Sequence, residues 1–254
     1  LDLGLAGKRA LITGAGRGLG RSIATNLAKE GVKVALVART RADLEDVLKE
    51  IGGQGHYIIC TDLMEEDMPK KVVDELHQKF GQIDIIVNNL GGTLDYTDPF
   101  CPITAWRQLY RLNLEVAIEL NNLLIPHMRE QQWGRIIHIS SISSLENQGP
   151  VPYCSFKAAL TAYTRSMGRF VAPFGIIMAA ILPGAIYTKG GYWDLLARKN
   201  PEHWKKYSTE RMAIHRFGEP DEISNVVTFV CSKLASFCVG SVIPVDGGQG
   251  RCFF

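Results

Sequence analysis

The chain has 254 residues, of which 46% are hydrophobic, 21% charged and 9% aromatic, a globular profile that excludes collagen-like and intrinsically disordered classes. Lys and Arg number 28 against 26 Asp and Glu, and a net charge of +2 gives no electrostatic pull on nucleic acid or an anionic membrane, so neither is expected as a partner. No apolar run approaches the roughly 18 residues that cross a bilayer, and Leu1–Ala10 lacks the plan of a signal peptide; the expected location is cytoplasmic.

In chain order, runs rich in Ile and Val fall at Arg9–Thr13, Lys33–Val37, His56–Cys60, Ile83–Val87, Arg135–Ser140, Ile176–Leu182 and Ser241–Val245. Most lack polar alternation, as strands buried on both faces do. Between them lie amphipathic helical patterns at Gly18–Glu30, Asp43–Ile51, Met68–Phe80, Thr104–Arg129, Tyr153–Val171 and Glu219–Ser232. Strand, helix and strand in regular succession predict right-handed crossovers and a single α/β domain over 1–254, a doubly wound parallel sheet of about seven strands with helices on both faces.

One segment breaks the rhythm. Nearly forty residues follow Leu182 without a strand, and Lys189–Arg216 holds seven Lys/Arg against three acids, for a net +4, with Tyr192, Trp193, Trp204 and Tyr207 among them. A long insertion at a sheet strand's carboxyl end reads as a helical lid over a site, placed at about 187–216. A helical hairpin with a solvated basic face is the plainer reading of the same residues. The basic charge suggests an anionic or heavily hydroxylated substrate, with Lys205 and Lys206 as its candidate contacts.

The six cysteines (60, 101, 154, 231, 238 and 252) contain no C-x-x-C pair, and reduced thiols are expected. The six histidines form no ligand cluster, so no metal site is expected. His138 lies in an apolar run and reads as a core imidazole.

Thr13-Gly14-Ala15-Gly16-Arg17-Gly18-Leu19-Gly20 follows the first strand and opens the first helix. Glycines there permit a tight turn and let backbone N–H groups at a helix start approach a pyrophosphate. At the end of the second strand, where an NAD site places a carboxylate, stand Ala38 and Arg39. With Arg17, Arg39 favours a 2′-phosphate and hence NADP(H). Asp43 and Glu45 fall on the next helix and are assigned to its solvent face.

Tyr153 and Lys157 are four apart on a predicted helix and share a face, and Tyr153 is the only one of eight tyrosines with lysine at that spacing. An adjacent ammonium is expected to lower the phenol's pKa. Upstream, the strand Gly134–Ile139 runs into Ser140-Ser141 at a carboxyl end that faces the ligand crevice.

Together these motifs resemble the short-chain dehydrogenase/reductase family with its Rossmann fold, over essentially the whole chain. To the glycine-rich turn and the Tyr153/Lys157 pair they add Asp62-Leu63, Asn88-Asn89-Leu90-Gly91, Asn113, Pro183-Gly184 and Val245-Asp246-Gly247-Gly248. The resemblance implies a catalytic set of Asn113, Ser141, Tyr153 and Lys157. In it Tyr153 is the general acid/base, Ser141 orients the carbonyl, Lys157 tunes the tyrosine and holds the nicotinamide ribose, and Asn113 anchors a relay water. It implies cofactor contacts at Gly14, Gly16, Arg17, Gly18, Leu19, Gly20, Arg39, Asp62 and Leu63 (adenine side), Asn89, Gly91, Tyr153, Lys157, Pro183, Gly184, Ile186 and Thr188. Members are commonly homo-oligomers, so a tetramer or dimer is expected. Two departures stand out: Leu90 replaces the family's usual alanine, and the Ser141–Tyr153 interval of 12 is one short of the common 13, which by spacing alone would select Ser140. The unbroken strand-end pattern selects Ser141.

The expected activity is an NADP(H)-dependent oxidoreduction between nicotinamide and a carbonyl or secondary alcohol, in the reducing direction. The motifs are similar to those of 3-oxoacyl-acyl-carrier-protein reductases, but Phe174 stands where those enzymes often carry a basic docking residue. A catalytically silent NADP(H)-binding sensor or scaffold is the alternative, and the intact Ser/Tyr/Lys set argues against it. An extended sugar-nucleotide epimerase would need a larger C-terminal part than about 100 residues after Tyr153 allow.

Overall fold

Seven strands, β1 (Arg9–Thr13), β2 (Lys33–Ala38), β3 (Tyr57–Cys60), β4 (Ile85–Asn88), β5 (Gly134–Ile139), β6 (Ile176–Pro183) and β7 (Val242–Val245), pair in the order β3-β2-β1-β4-β5-β6-β7. Every pair is parallel. This computed structural model describes residues 1–252, and among them these seven strands form the one sheet. The expected strands all form, with ends shifted by one or two residues: β3 starts after His56, whose Nδ1 instead accepts the Val34 N–H.

Nine α-helices occur among the described residues: α1 (Gly18–Lys29), α2 (Arg41–Ile51), α3 (Met68–Lys79), α4 (Ile103–Tyr110), α5 (Val116–Glu130), α6 (Val151–Val171), α7 (Tyr192–Lys199), α8 (Pro201–Arg211) and α9 (Pro220–Cys231). Pro at the first turns of α6 and α9 pre-sets the helical φ where no N–H is needed. Glu219 and Glu222 close a capping box on α9.

The sheet is buried on both faces by alternate residues of each strand. Ala10, Ile12, Val34, Leu36, Ile85, Val87, Ile137, Ile139, Ala179 and Ile181 point to the side covered by α1, α2 and α9. Leu11, Ala35, Val37, Ile86, Ile136 and Met178 point to the side covered by α3, α5 and α6. That double burial is why the strands read as continuous apolar runs. Among the described residues no helix is long and apolar enough to cross a membrane.

The helix expected over Thr104–Arg129 is continuous but not uniform. A π-helical turn at Arg111–Glu115 joins α4 to α5, a widened turn of the kind that often marks functional sites. The segment expected to be a lid forms the α7–α8 hairpin, held by an apolar cluster in which Trp193, Trp204 and Tyr207 pack on Phe217. Buried Asp194 ties its base, accepting from the Tyr187 hydroxyl at 2.6 Å, Gly190 N at 2.8 Å and Arg198 at 2.8 Å.

Candidate active site

Strand order reverses beside β1, with β2 on one side and β4 on the other, so the loops leaving their carboxyl ends part and open a crevice. Two cavities lie along it. The larger, about 370 Å³, is lined by Gly18, Leu19, Asn89, Gly91, Ser140, Ser141, Tyr153, Lys157, Pro183, Gly184, Ile186, Thr188, Tyr192 and Trp193, among others. The smaller, about 220 Å³, is lined by residues that include Gly14, Gly16, Arg17, Ala38, Arg39, Asp43, Asp62, Leu63 and Leu90. Of the expected cofactor contacts only Gly20 lines neither. It works from behind: a Cβ there would collide with the Gly14 carbonyl and lie 2.7 Å from Asn89 Nδ2, so its lack of a side chain lets α1 close on the turn.

The glycine-rich turn is stapled to β4. Thr13 Oγ1 accepts the N–H groups of Asn89 and Leu90, each at 3.0 Å, while Asn89 Nδ2 donates to the carbonyls of Thr13 and Gly14 at 3.0 and 3.2 Å. Asn89, expected among the cofactor contacts, thus uses its Nδ2 to fix the turn. Helix α1 then starts with no side-chain cap at Arg17, leaving its first N–H groups to face an anion. Turn, helix start and flanking cavities fit a dinucleotide, with the pyrophosphate over the turn.

At the other end, α6 carries Tyr153 in its first turn and Lys157 one turn on. Lys157 is only 3% exposed, and its Nζ donates to the Ile139 carbonyl at the end of β5 at 2.8 Å. Burial pushes its pKa down to about 8. The ammonium lies 5.7 Å from the centroid of the Tyr153 ring. Burial also raises the Tyr153 phenol above its ordinary value, and a hydrogen bond with the Ser141 hydroxyl offsets part of that rise. At Tyr153 burial outweighs the Ser141 hydrogen bond, so the phenol's shift runs upward, opposite to the lowering expected from the neighbouring ammonium.

The two serines part company at the end of β5. Ser140 is buried, and its hydroxyl binds the Lys157 carbonyl at 3.1 Å and Thr161 Oγ1 at 2.8 Å, tying the strand end to α6. Ser141 accepts the Ser143 N–H at 3.1 Å and meets the Tyr153 hydroxyl. A carbonyl in the larger cavity would face Ser141 and Tyr153 together.

Asn113 sits in the π-helical turn, 1% exposed, and lines neither cavity. Its Nδ2 donates to the carbonyls of Gly92 at 2.9 Å and Leu109 at 3.0 Å, and its Oδ1 accepts the Gly92 N–H at 3.0 Å. The side chain thus holds the Gly91–Gly92 loop. A Cβ added at Gly91 would stand 2.7 Å from Lys157 Nζ and 3.0 Å from Asn113 Oδ1, so the loop runs between the two.

Beneath Lys157 lies a buried neutral chain. Thr164 Oγ1 donates to the Leu160 carbonyl, which leaves it to accept from His138 Nδ1 at 2.7 Å. His138 Nε2 then accepts from Asn121 Nδ2 at 2.9 Å, and Asn121 Oδ1 from Asn88 Nδ2 at 3.0 Å. Burial first, and Lys157 second, push the His138 pKa down to about 3, so the imidazole stays neutral and does not compete with the ammonium.

Sequence reasoning missed Gln249, which is 5% exposed behind the larger cavity. Its Oε1 accepts the Ala185 N–H at 2.7 Å, and its Nε2 donates to Gln148 Oε1 at 2.9 Å and the Tyr207 hydroxyl at 2.8 Å. It joins the loop after β6, the loop after Ser141 and helix α8. The signal available was a polar residue directly after Asp246-Gly247-Gly248, at the same carboxyl edge as the other site residues.

Asp43 was assigned to a solvent face and is corrected: it is half-buried, lines the smaller cavity, and its Oδ2 accepts from Arg17 Nε at 2.7 Å. Arg39 Nη1 stands 3.8 Å from Asp62 Oδ2. The basic residues of the hairpin, Lys205 and Lys206 included, are exposed, and its contribution to the larger cavity is Tyr192 and Trp193.

The family profile described as short chain dehydrogenase matches residues 8–191. The 3-oxoacyl-acyl-carrier-protein reductase of Aquifex aeolicus is 35% identical over 254 residues, which cover 98% of this chain and 100% of that protein. Among solved structures, L-sorbose reductase from Gluconobacter frateurii complexed with NADPH and L-sorbose superposes with a TM-score of 0.91 at 32% identity, covering 100% of each chain. A 7 alpha-hydroxysteroid dehydrogenase complexed with NADH and 7-oxo glycochenodeoxycholic acid gives 0.88 at 31%, covering 98% of this chain and 97% of that one.

Proposed function

The chain belongs to the short-chain dehydrogenase/reductase family, and on that premise we propose that it is an NADP(H)-dependent ketoreductase acting on a small polyhydroxylated ketone such as a ketose. The observation that carries this reading is the placement of Tyr153, Ser141 and Lys157 on one cavity wall, with the Lys157 ammonium 5.7 Å from the centroid of the Tyr153 ring.

When bound, the nicotinamide dinucleotide supplies the hydride. Gly14, Gly16, Gly18 and the start of α1 would hold its pyrophosphate, Arg17 and Arg39 a 2′-phosphate, Asp62 and Leu63 the adenine, and Pro183, Gly184, Ile186 and Thr188 the nicotinamide. Ser141 orients the substrate carbonyl, and the Tyr153 hydroxyl donates its proton to the carbonyl oxygen as negative charge develops there. Lys157 holds the nicotinamide ribose and steadies the phenolate that remains. Asn113 pins the Gly91–Gly92 loop against Lys157 and so keeps the ammonium in place; a relay water would sit on this side. A protonated phenol is ready for reduction, whereas oxidation needs the base form.

Three features support a hydroxylated ketone. The hairpin presents Tyr192 and Trp193 rather than its lysines to the cavity, which removes the reason to expect an anionic substrate. Thr188, Ser141 and Asn89 add polar groups to the same walls. Phe174 is itself uncharged where a carrier-protein reductase often has a basic residue, and the exposed Arg129 guanidinium lies 4.2 Å above its ring. The likeness to a structure complexed with L-sorbose agrees with this class.

A homo-oligomer, tetramer or dimer, belongs to the same reading. Phe170 on α6 and Phe237 beside β7 are 76% and 100% exposed, apolar area that a second copy would cover. Light scattering on the purified chain tests it.

The activity is tested by following NADPH oxidation with ketoses, 3-oxoacyl thioesters and steroid ketones. Turnover of a ketose is expected at a higher kcat/KM than of the other two classes. Preference for the thioester or the steroid would overturn the substrate class, and binding of NADPH without turnover of any ketone would support the sensor alternative.

A further inference from the structure

We propose that Asp43 sets how strictly this protein prefers a 2′-phosphorylated dinucleotide, by holding Arg17 and by standing as a carboxylate inside the cavity that would receive the phosphate. The proposal rests on the reading that a nicotinamide dinucleotide lies along the two cavities.

The smaller cavity pairs its charges. Arg17 and Arg39 both face it, yet Arg17 Nε is 2.7 Å from Asp43 Oδ2 and Arg39 Nη1 is 3.8 Å from Asp62 Oδ2. The partners differ in freedom: the Arg17 and Arg39 side chains are 74% and 76% exposed, whereas that of Asp43 is 23% exposed. Asp43 is in the first turn of α2 and packs under the glycine-rich turn, so closely that a Cβ at Gly16 would stand 3.0 Å from its Cβ. The carboxylate is therefore fixed and the arginine is the part that swings.

A phosphate on the ribose must compete with Asp43 for the Arg17 cation, and it shares the cavity with that carboxylate. A ribose hydroxyl meets neither cost. It can donate to the Asp43 carboxylate, the acceptor that Ala38 fails to supply at the end of β2, while Arg17 stays paired. Asp43 thus disfavours the phosphate and supports the hydroxyl, and the chain binds both dinucleotides with a preference for the phosphorylated one that Asp43 keeps modest.

The test is equilibrium binding of NADPH and of NADH to the full chain, read by nicotinamide fluorescence, for the wild type and Asp43→Asn. The Kd ratio of NADH to NADPH is expected to widen by roughly three- to tenfold in the variant, the scale of one partly screened charge contact. A ratio that stays within twofold of the wild type, or narrows, overturns the proposal while leaving the dinucleotide site intact. Wild-type protein that binds neither dinucleotide overturns the site and the proposal together. If Asp43→Asn does not fold, Asp43→Ser, which keeps an oxygen in the first turn of α2, reads the same ratio.

Discussion

At the larger cavity Lys157 and the polar groups beneath it are buried and held by short contacts to fixed partners, while Ser141 and Tyr153 are half-buried at its wall. Lys157 is 3% exposed and bonded to the Ile139 carbonyl, Ser140 clamps the strand end to α6, and a neutral chain through His138 lies beneath. At the smaller cavity the arginines are about three-quarters exposed and joined to carboxylates by ion pairs at a solvent-facing rim. Buried polar groups are costly to leave unpaired, whereas exposed ion pairs contribute little and are screened by salt. Substitutions at the reacting end should therefore change chemistry by orders of magnitude, and those at the nucleotide end should tune which cofactor is chosen.

Ser141→Ala is expected to lower kcat by about 100-fold, the cost of one donor aimed at a developing oxyanion. Ser140→Ala should leave kcat within severalfold but lower stability by about 1 kcal/mol, since its hydroxyl ties Lys157 and Thr161. Steady-state kinetics with thermal melts separate the two, and the reverse pattern would transfer the carbonyl-orienting role to Ser140.

The pH profile probes Lys157. Its pKa is depressed to about 8, so the ammonium is present below that value and is lost as pH rises through it. The kcat/KM for reduction should be level on the acid side and fall above about pH 8, and Lys157→Met should lose this limb along with most of the rate. A wild-type profile level to pH 10 would remove Lys157 from the step.

Arg39→Ala should raise KM for NADPH by about tenfold, one charge-assisted contact, and change KM for NADH less than twofold. Equal effects on both would show that Arg39 does not read the phosphate. The smallest effect is expected from Lys205→Glu with Lys206→Glu. These side chains face solvent, and KM for a neutral ketose should move less than twofold. A large rise would bring the basic face back into substrate recognition.

The sheet and its helices were legible because burial on both faces leaves near-continuous apolar runs, such as Ile176–Pro183, which is buried throughout. That the serine pair reaches the cavity wall was legible from its place after the strand. Other features depended on tertiary context. The π-helical turn is hidden in sequence because Arg111–Glu115 holds no Gly or Pro to mark a change of helical winding. Asp43 carries a charge and so read as a solvent residue, but the first turn of a helix leaving a sheet's carboxyl edge faces the crevice. The phenol's pKa was misjudged because helical spacing predicts the ammonium's neighbourhood and not the desolvation of the pair. Basic charge in the hairpin and its bordering of the cavity proved to belong to different residues.

The most direct test compares single-turnover hydride transfer from bound NADPH to a ketone in wild-type protein and in Tyr153→Phe, with NADPH affinity measured separately. The account predicts an unchanged NADPH Kd and a transfer rate lower by about 10²- to 10⁴-fold, the worth of a positioned general acid. A phenylalanine variant that transfers hydride as fast as the wild type would contradict it.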